Sequence, residues 1–313
     1  RSNLVVGMNP CNEQLGVVCA GMVTPAEVYV VDKLPEWNMG GKWKYRADFI
    51  SDDAAIVATN LALWGVKAGL ICNSFGQDIT GQNLLNELED IGIEGEYVLE
   101  KSLRTPYEIV ISDSLGGRTY VWDRRDEILR TLFEASTKLV IDCHYCYVDW
   151  YDLPYILPVL KDAKSNNVPV FINIEDKFDD PEILSVVSEY ATYVQANYKH
   201  TDGINSICFL ADLLSQKDVD FAVVTDASNG CMVSDGLNPF RVMAPVVNLV
   251  DANGAGAVFS AGLIYGLLHG WDLKEASKLA VAVASKKCEL VGTRIDSLDE
   301  SVSIARGLDF ELI

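Results

Sequence analysis

The chain has 313 residues, and its 45 acidic residues outnumber the 25 Lys and Arg residues to give a net charge of −20. Hydrophobic residues make up 49% of the sequence, which excludes a disordered or collagen-like chain and allows a large α/β core. The acidic balance repels phosphate backbones and anionic lipid, so we expect neither nucleic acid nor membrane as a partner. These exclusions leave a small-molecule ligand or a protein as the expected partner.

No apolar run is long enough for a membrane-spanning helix, so we expect a soluble protein. The sequence begins with Arg1 and not with Met, from which we expect that an upstream segment was removed. The expected location is the cytoplasm, or an organelle stroma if that segment was a targeting sequence.

Eight Cys residues are spread along the chain, most of them in apolar segments, as is typical of reduced thiols in a reducing compartment. Cys143-His144-Tyr145-Cys146 has the spacing of redox and zinc sites. A structural role is favoured, because only three His residues exist and the motif follows an apolar segment at 138–142 that we predict to be a buried strand.

Apolar segments alternate with amphipathic ones along most of the chain, which predicts a mostly parallel sheet with helices on both faces. The predicted strands are 16–20, 67–72, 138–142, 168–173, 193–196 and 221–225. The predicted helices include 53–64, 80–91, 153–166 and 204–215. Without a repeat or a low-complexity linker, we expect a single domain over residues 1–313.

Two segments, 27–45 and 105–122, instead alternate apolar with polar residues, as strands with one wet face do. They predict a small antiparallel β lid, inserted at about 27–48 and 105–124. Such a lid would cover a ligand or form an oligomer contact, and the two roles are compatible. We expect a homodimer through this lid.

The segment 250–262 carries the strongest chemical signal. Gly254, Ala255 and Gly256 precede an apolar helix and leave backbone N–H groups uncovered near its positive end. That arrangement suits an anion hole for a phosphoryl group, although a tight helix start is the simpler alternative.

Here the sequence resembles the ribokinase/PfkB family of carbohydrate kinases, whose signature reads D-T-x-G-A-G-D followed by Phe. The match is close at Asp251, Gly254, Ala255, Gly256 and Phe259. Segments 73–88 and 21–35 resemble two further family blocks. Segments 117–124 and 283–292 are most similar to ketohexokinase-like members.

The resemblance implies a three-layer ribokinase-like fold with a small β lid, and transfer of a phosphoryl group from ATP, with Mg²⁺, to a sugar hydroxyl under the lid. The family's catalytic Asp, which takes the hydroxyl proton, is replaced by Ala257. An alanine methyl accepts no proton, and loss of a general base typically costs 10²–10⁴-fold in rate.

The family's sugar-binding positions are altered as well. An Asp on the first strand becomes Ala26, and a Gly-Gly-Asn segment becomes Ser51-Asp52-Asp53 with Ile56 at the sugar-binding Asn. The resemblance therefore implies weak binding of ordinary sugars. As helix caps, Asp52 and Asp53 would have a sufficient structural role.

The positions that bind the nucleotide in the family are altered less than the sugar-binding positions. The resemblance assigns four residues to nucleotide binding: Arg118, Asn197, Thr225 and Asp251. His200 stands where the family has a Glu that helps to hold Mg²⁺, and we expect it at the surface and not as a metal ligand. Lys286 and Lys287 suit either the end of a helix dipole or a phosphate contact.

Three hypotheses follow. The favoured one is a catalytically impaired kinase homologue, or pseudokinase, that keeps a nucleotide or anion site. The second is an active kinase for an unusual small-molecule acceptor, with Ala257 introduced by substitution or the missing base replaced by Asp52 or Asp53. The third is a structural dimer built on the lid, which would bind no nucleotide.

Overall fold

A computed structural model describes residues 4–7, 14–198, 214–215 and 219–313. His200 lies outside the described residues. So does the predicted helix at 204–215, except for its last two residues.

Nine strands form the main sheet. In their order across it they are β16 (Phe310–Leu312), β15 (Phe240–Val242), β14 (Cys231–Ser234), β13 (Phe221–Thr225), β12 (Tyr193–Asn197), β11 (Val170–Glu175), β10 (Cys143–Asp149), β2 (Leu15–Ala20) and β5 (Ala68–Ile71). The six strands from β13 to β5 run parallel, and the other three add to one edge antiparallel.

Helices cover both faces of this sheet. One face carries α1 (Asp53–Leu63), α2 (Ile79–Ile91), α6 (Ala255–Leu268), α7 (Leu273–Cys288) and α8 (Asp299–Gly307). The other carries α3 (Asp126–Phe133), α4 (Leu157–Ser165) and α5 (Pro181–Tyr190). Each face buries its own hydrophobic cluster, and the predicted three-layer α/β fold is confirmed.

A separate sheet of four strands, the small sheet, contains the two segments whose residues alternate. Its order is β4 (Trp43–Ser51), β3 (Thr24–Val31), β8 (Glu108–Asp113) and β9 (Arg118–Trp122). Both outer pairs are antiparallel, as predicted, but β3 and β8 pair in parallel. The alternation of side chains marks each strand's two faces and carries no information on direction.

A third sheet joins β1 (Leu4–Gly7), β7 (Glu96–Glu100) and β6 (Phe75–Gly76). Of the helices in the described part of the chain, none has the length and apolar character to cross a membrane.

The strand predicted at 138–142 is wrong, because Lys138–Asp142 forms a 3₁₀ helix. Only Val140 is buried there while Ile141 is exposed, so one residue per three-residue turn faces the core. The strand begins at Cys143, and Cys143 and Cys146 lie buried within it. Burial raises the pKa of the Cys143 thiol to about 12, which makes it unreactive near neutral pH.

The other predicted strands and helices in the described residues match within two residues at each end, except α4. We predicted its start at residue 153, but it starts at Leu157, with Pro158 in the first turn. Proline lacks an N–H and is tolerated at this position, where no helical partner is needed.

After β2 the chain continues to β5, which lies on one side of β2 in the sheet. It later returns to β10, which lies on the other side of β2. In open parallel sheets, ligands bind in the crevice beside the carboxyl ends of strands at such a reversal. Met22, just after β2, donates its backbone N–H to the Asp152 carboxylate beyond β10, at 2.7 Å. The fold therefore places a candidate ligand crevice at this edge of the sheet.

Candidate functional site

The residues around the start of α6 form a backbone turn, which we call the cradle (residues 253–257). Gly254 has φ of 72°, and a Cβ there would lie 2.6 Å from Thr293 Cγ2, so the position requires glycine. The first turn of α6 contains no acidic side chain, and Gly254 provides no side-chain cap. Its first N–H groups therefore have no acceptor within the helix, although the Ala255 N–H reaches the Ala252 carbonyl at 3.4 Å, and such groups favour an anion.

Asn253 adds a side-chain donor to the cradle. Its residue is 5% exposed, yet its Nδ2 has no hydrogen-bond partner among the described residues. Its Oδ1 accepts a bond from the Tyr120 hydroxyl at 3.4 Å. A buried amide donor without a partner is costly, and an anion in the cradle would satisfy it.

A buried ion pair lies beneath the cradle. Lys287 and Asp251 are both inaccessible to solvent, and Lys287 Nζ is 3.3 Å from Asp251 Oδ2 and donates to the Asp251 carbonyl. Asp251 Oδ1 accepts from the Asn253 N–H at 2.9 Å, and Oδ2 from the Gly292 N–H at 3.2 Å. Asp251, which we had assigned to the nucleotide, is thus placed to position the cradle.

The two lysines at the end of α7 differ in environment. Burial lowers the pKa of Lys287, and the Asp251 carboxylate opposes that shift. Lys286 instead pairs with Glu300 at 3.0 Å near the surface. Lys287 therefore acts on the cradle through Asp251.

Ala257 occupies the third position of α6 and is 1% exposed, so its methyl group offers no proton acceptor beside the cradle. The carbonyl of the preceding Gly256 accepts from Gln195 Nε2 at 3.2 Å. One turn later, the Ser260 hydroxyl donates to Gln195 Oε1 at 2.8 Å. These bonds fix the start of α6 to strand β12.

Gln195 belongs to a row of buried polar side chains across three strands, formed by Asp149 on β10, Asn173 on β11 and Gln195 on β12. Asn173 Nδ2 donates to Asp53 Oδ2 at 3.1 Å. Our sequence analysis did not identify this row. The sequence signal for such a row is a polar residue within an otherwise apolar strand. Burying a hydrogen-bonding group there costs free energy unless the group finds a partner.

Asp53 is the first residue of α1. Burial first, and then the carboxylates of Glu175 and Asp52, raise its pKa from the ordinary 3.8 to about 8, against the hydrogen bond from Asn173. One turn later, Ile56 Cδ1 lies 3.3 Å from the point that a Cβ on Gly254 would occupy. Helix α1 therefore brings Ile56 to the cradle, one turn along from Asp53.

Asp52 does not cap α1, and our interpretation of it as a helix cap is wrong. Its carboxylate pairs instead with Arg124 at 2.8 Å, and Arg124 also pairs with Asp152. The backbone of Asp52 has φ of 72° and ψ of 144°, a region occupied almost only by glycine.

The small sheet lies over this region. Arg118 of β9 donates to the Ala252 carbonyl at 2.6 Å, beside the cradle. Ala26 is opposite Glu108 in the sheet and is buried in its hydrophobic cluster, so it presents no polar group. Burial raises the pKa of Glu108 to about 7, and its carboxylate accepts from the Ser51 hydroxyl at 3.0 Å.

Asn197 and Thr225 end the neighbouring strands β12 and β13, and the Thr225 hydroxyl donates to Asn197 Oδ1 at 2.8 Å. The structure therefore brings these two predicted residues together, two positions beyond Gln195 on β12. Of the predicted positions, Arg118 and Ile56 reach the cradle, whereas Ala26 lies within the small sheet.

Lys287→Met should destabilise the protein by about 3–5 kcal/mol, because it leaves the Asp251 carboxylate buried without a cation. Urea unfolding gives the change. Lys286→Met, at the neighbouring surface position, is the control and should have little effect. The double variant Lys287→Met/Asp251→Asn removes both charges and should regain part of the loss. A fully stable Lys287→Met variant would contradict the role given to this pair.

Asp53→Asn should raise the melting temperature at pH 9 and leave it nearly unchanged at pH 3, below both pKa values. The folded-state pKa of about 8 exceeds the ordinary 3.8, so folding takes up a proton between these values. The stabilisation is complete at low pH and is lost as the pH rises through 8. Thermal unfolding of the variant and of Asp90→Asn, an exposed control in α2, measures it. An equal difference at both pH values would refute the shift.

Comparison with known proteins agrees with this architecture. Residues 53–300 match the family described as pfkB family carbohydrate kinase. An ATP-dependent 6-phosphofructokinase of Thermoanaerobacterium thermosaccharolyticum is 25% identical over 281 residues, covering 80% of this chain and 82% of its own.

Solved structures share the fold. A crystal structure of a putative ribokinase from Agrobacterium tumefaciens aligns with a TM-score of 0.77 at 20% identity, covering 94% of this chain and 98% of its own. Arabidopsis thaliana ribokinase complexed with ribose and ATP aligns with a TM-score of 0.71 at 16% identity, covering 94% and 99%. The family match spans more than half of the sequence, and this chain therefore belongs to the pfkB family of carbohydrate kinases.

Proposed function

We propose that this chain binds ATP through the cradle and is impaired in phosphoryl transfer to a sugar hydroxyl, so that it acts as a nucleotide-binding kinase homologue. The observation that carries the proposal is Ala257: the backbone donors of a phosphoryl site are present, and the side chain beside them accepts no proton.

The cradle fits a phosphate group. The N–H groups of Gly256 and Ala257 at the start of the helix, the orphan amide of Asn253 and the guanidinium of Arg118 supply donors and positive charge. Bound ATP would provide the transferable phosphoryl group, together with Mg²⁺ on its phosphates. Asn197 and Thr225, at the neighbouring strand ends, are the residues we propose to flank the nucleotide.

The acceptor side supports the impairment. Ala26 and Ile56 are apolar where the family resemblance places sugar contacts, and each unpaired buried hydroxyl costs about 1–3 kcal/mol. The loss of the general base removes a further 10²–10⁴-fold in rate. We therefore expect ordinary sugars to bind weakly and to be phosphorylated slowly.

A second candidate function is a kinase for an unusual acceptor that uses Asp53 as its base. Asp53 bonds to Asn173, next to the strand whose Gln195 holds the Gly256 carbonyl. A carboxyl whose pKa is about 8 accepts protons well once it is ionised. Any such activity would rise with pH toward and above 8, since the base must lose its own proton first.

We also propose that a second copy packs on the outer face of the small sheet. That face exposes apolar side chains at Trp43, Ile109 and Val121. At its centre Arg46 pairs with Glu27 at 2.6 Å, so a positive and a negative side chain lie side by side on this face. In a dimer with two-fold symmetry, the arginine of each copy can face the glutamate of the other, which suits an isologous contact.

Ala257→Asp should increase phosphoryl transfer by about 10²–10⁴-fold, because it supplies a carboxylate beside the cradle. A coupled ADP-release assay with ATP, Mg²⁺ and a panel of sugars and nucleosides measures this. Ala257→Asn, of the same size and without a base, should give no gain. A parent chain that already turns over at the rate of Ala257→Asp would contradict the impairment.

Two further arms complete this experiment. ATP should raise the melting temperature of the parent chain, since a ligand at 100 times its Kd stabilises by about 2.7 kcal/mol. The absence of any shift would favour a purely structural protein. Parental activity that rises with pH and disappears in Asp53→Asn would favour the second candidate.

Val121→Lys should convert a dimer to a monomer, because it places charge within the apolar outer face of the small sheet. Light scattering coupled to size exclusion gives the mass of each species. Glu182→Lys, an exposed charge change on α5, is the control. A parent chain that is monomeric at every concentration tested would refute the proposed contact.

A further inference from the structure

We infer that the small sheet is hinged to the main body at one end, and that an ion-pair network of Asp52, Arg124 and Asp152, which we call the clasp, sets how readily it opens. The small sheet lies over the cradle and the crevice beside β2 and β10, so the clasp controls access to both. It would act in the same way for ATP or for any other ligand.

The small sheet is joined to the rest of the molecule at one of its two ends. At that end β3 and β8 begin, at Thr24 and Glu108. The strands antiparallel to them finish at the same end, β4 at Ser51 and β9 at Trp122. The opposite end carries only the turns within the sheet, from β3 to β4 and from β8 to β9. A sheet attached in this way can rotate as a unit without breaking the hydrogen bonds between its strands.

The clasp joins these connections at one buried carboxylate. Asp152 is 1% exposed and lies beyond β10 of the main sheet. One of its oxygens accepts the N–H of Met22, in the link from β2 to β3, at 2.7 Å, and the other pairs with Arg124, in the link from β9 to α3. Arg124 also pairs at 2.8 Å with Asp52, the link from β4 to α1. Three of the four connections of the small sheet therefore meet at this carboxylate.

The fourth connection, residues 101–107 between β7 and β8, is tied to the same place. Arg104 pairs with Asp123 at 3.1 Å, and the Arg125 guanidinium donates to the Arg104 carbonyl. Asp123 and Arg125 are the two neighbours of Arg124 in the chain. The link that bears Arg124 therefore gathers all four connections at the attached end of the small sheet.

The clasp is ionic near neutral pH and shielded from water. Burial raises the pKa of Asp152 to about 6, against the nearby Arg124 guanidinium, so this carboxyl is mostly ionised at pH 7. The side chains of Arg124 and Asp52 are 20% and 14% exposed. Removal of one partner from a buried network leaves an uncompensated charge, so loss of Arg124 should loosen the connections that meet here.

The far end of the small sheet rests on the main body beside the cradle. There Arg118 donates to the Ala252 carbonyl at 2.6 Å, and the Tyr120 hydroxyl donates to Asn253 Oδ1 at 3.4 Å. Arg118 is exposed, so water can replace its bond. The sheet also keeps its own hydrophobic cluster, against which Val291 packs from outside the sheet. Opening therefore separates the far end from the cradle, while the clasp acts as the pivot.

Hydrogen exchange at two methionine amides tests the clasp without any ligand. In NMR spectra of the chain with isotope-labelled methionine, Met22 reports on the hinge, because its N–H donates to Asp152, and Met232, buried in β14, reports on the main sheet. Arg124→Gln should speed exchange at Met22 by about tenfold or more and leave Met232 unchanged. Arg130→Gln, at an exposed position of α3, is the control and should change neither.

Asp52→Gly provides a second variant, whose glycine suits the backbone at this position. It should speed exchange at Met22 by less than Arg124→Gln does, because Arg124 keeps its pair with Asp152. Unchanged exchange at Met22 in both variants would overturn the clasp. Equal acceleration at Met22 and Met232 would do the same, because it would indicate opening of the whole molecule and not of a hinge. Neither result bears on the proposed nucleotide function, which the ATP shift tests separately.

Discussion

The buried pair of Lys287 and Asp251 is the constraint on which the proposed phosphate site depends. Taking two charges out of water is costly unless the remaining hydrogen-bonding groups are also satisfied. Here Asp251 accepts N–H bonds from Asn253 and Gly292, and its own N–H meets the Cys288 carbonyl. The pair thus ties the loop before α6 to the end of α7, and the cradle's shape follows.

The site divides into a part made of backbone and a part made of side chains. The cradle's donors are N–H groups, which survive almost any side-chain replacement as long as Gly254 permits the turn. In the proposed function, proton abstraction would depend on one side chain, and the family resemblance places Ala257 at that position. Because phosphoryl transfer relies mainly on positioning and electrostatics, a chain can lose its base and still hold the phosphate.

Much of the fold follows from the sequence, because buried parallel strands are nearly continuous apolar runs. Residues 221–225 match β13 at both ends for this reason. The run at 138–142 is equally apolar, but a 3₁₀ turn buries only Val140, and composition does not distinguish the two. The parallel pairing of β3 with β8 depends on the path of the intervening chain, which no local pattern records.

The site was predictable where a motif fixes the backbone, at Gly254 to Gly256, and less so where distant segments meet. The row of Asp149, Asn173 and Gln195 comes from three strands, so its members are brought together only by the sheet register. The role of Asp52 was missed because its partner, Arg124, lies 72 residues away in the chain.

Asp52 holds a backbone shape that is nearly exclusive to glycine, and an aspartate there is strained by about 1–3 kcal/mol. Its pairing with Arg124 offsets that strain. This turn therefore sets conformational strain against an ion pair. A glycine here would relax the backbone and would leave Arg124 with Asp152 as its remaining ion-pair partner among the described residues.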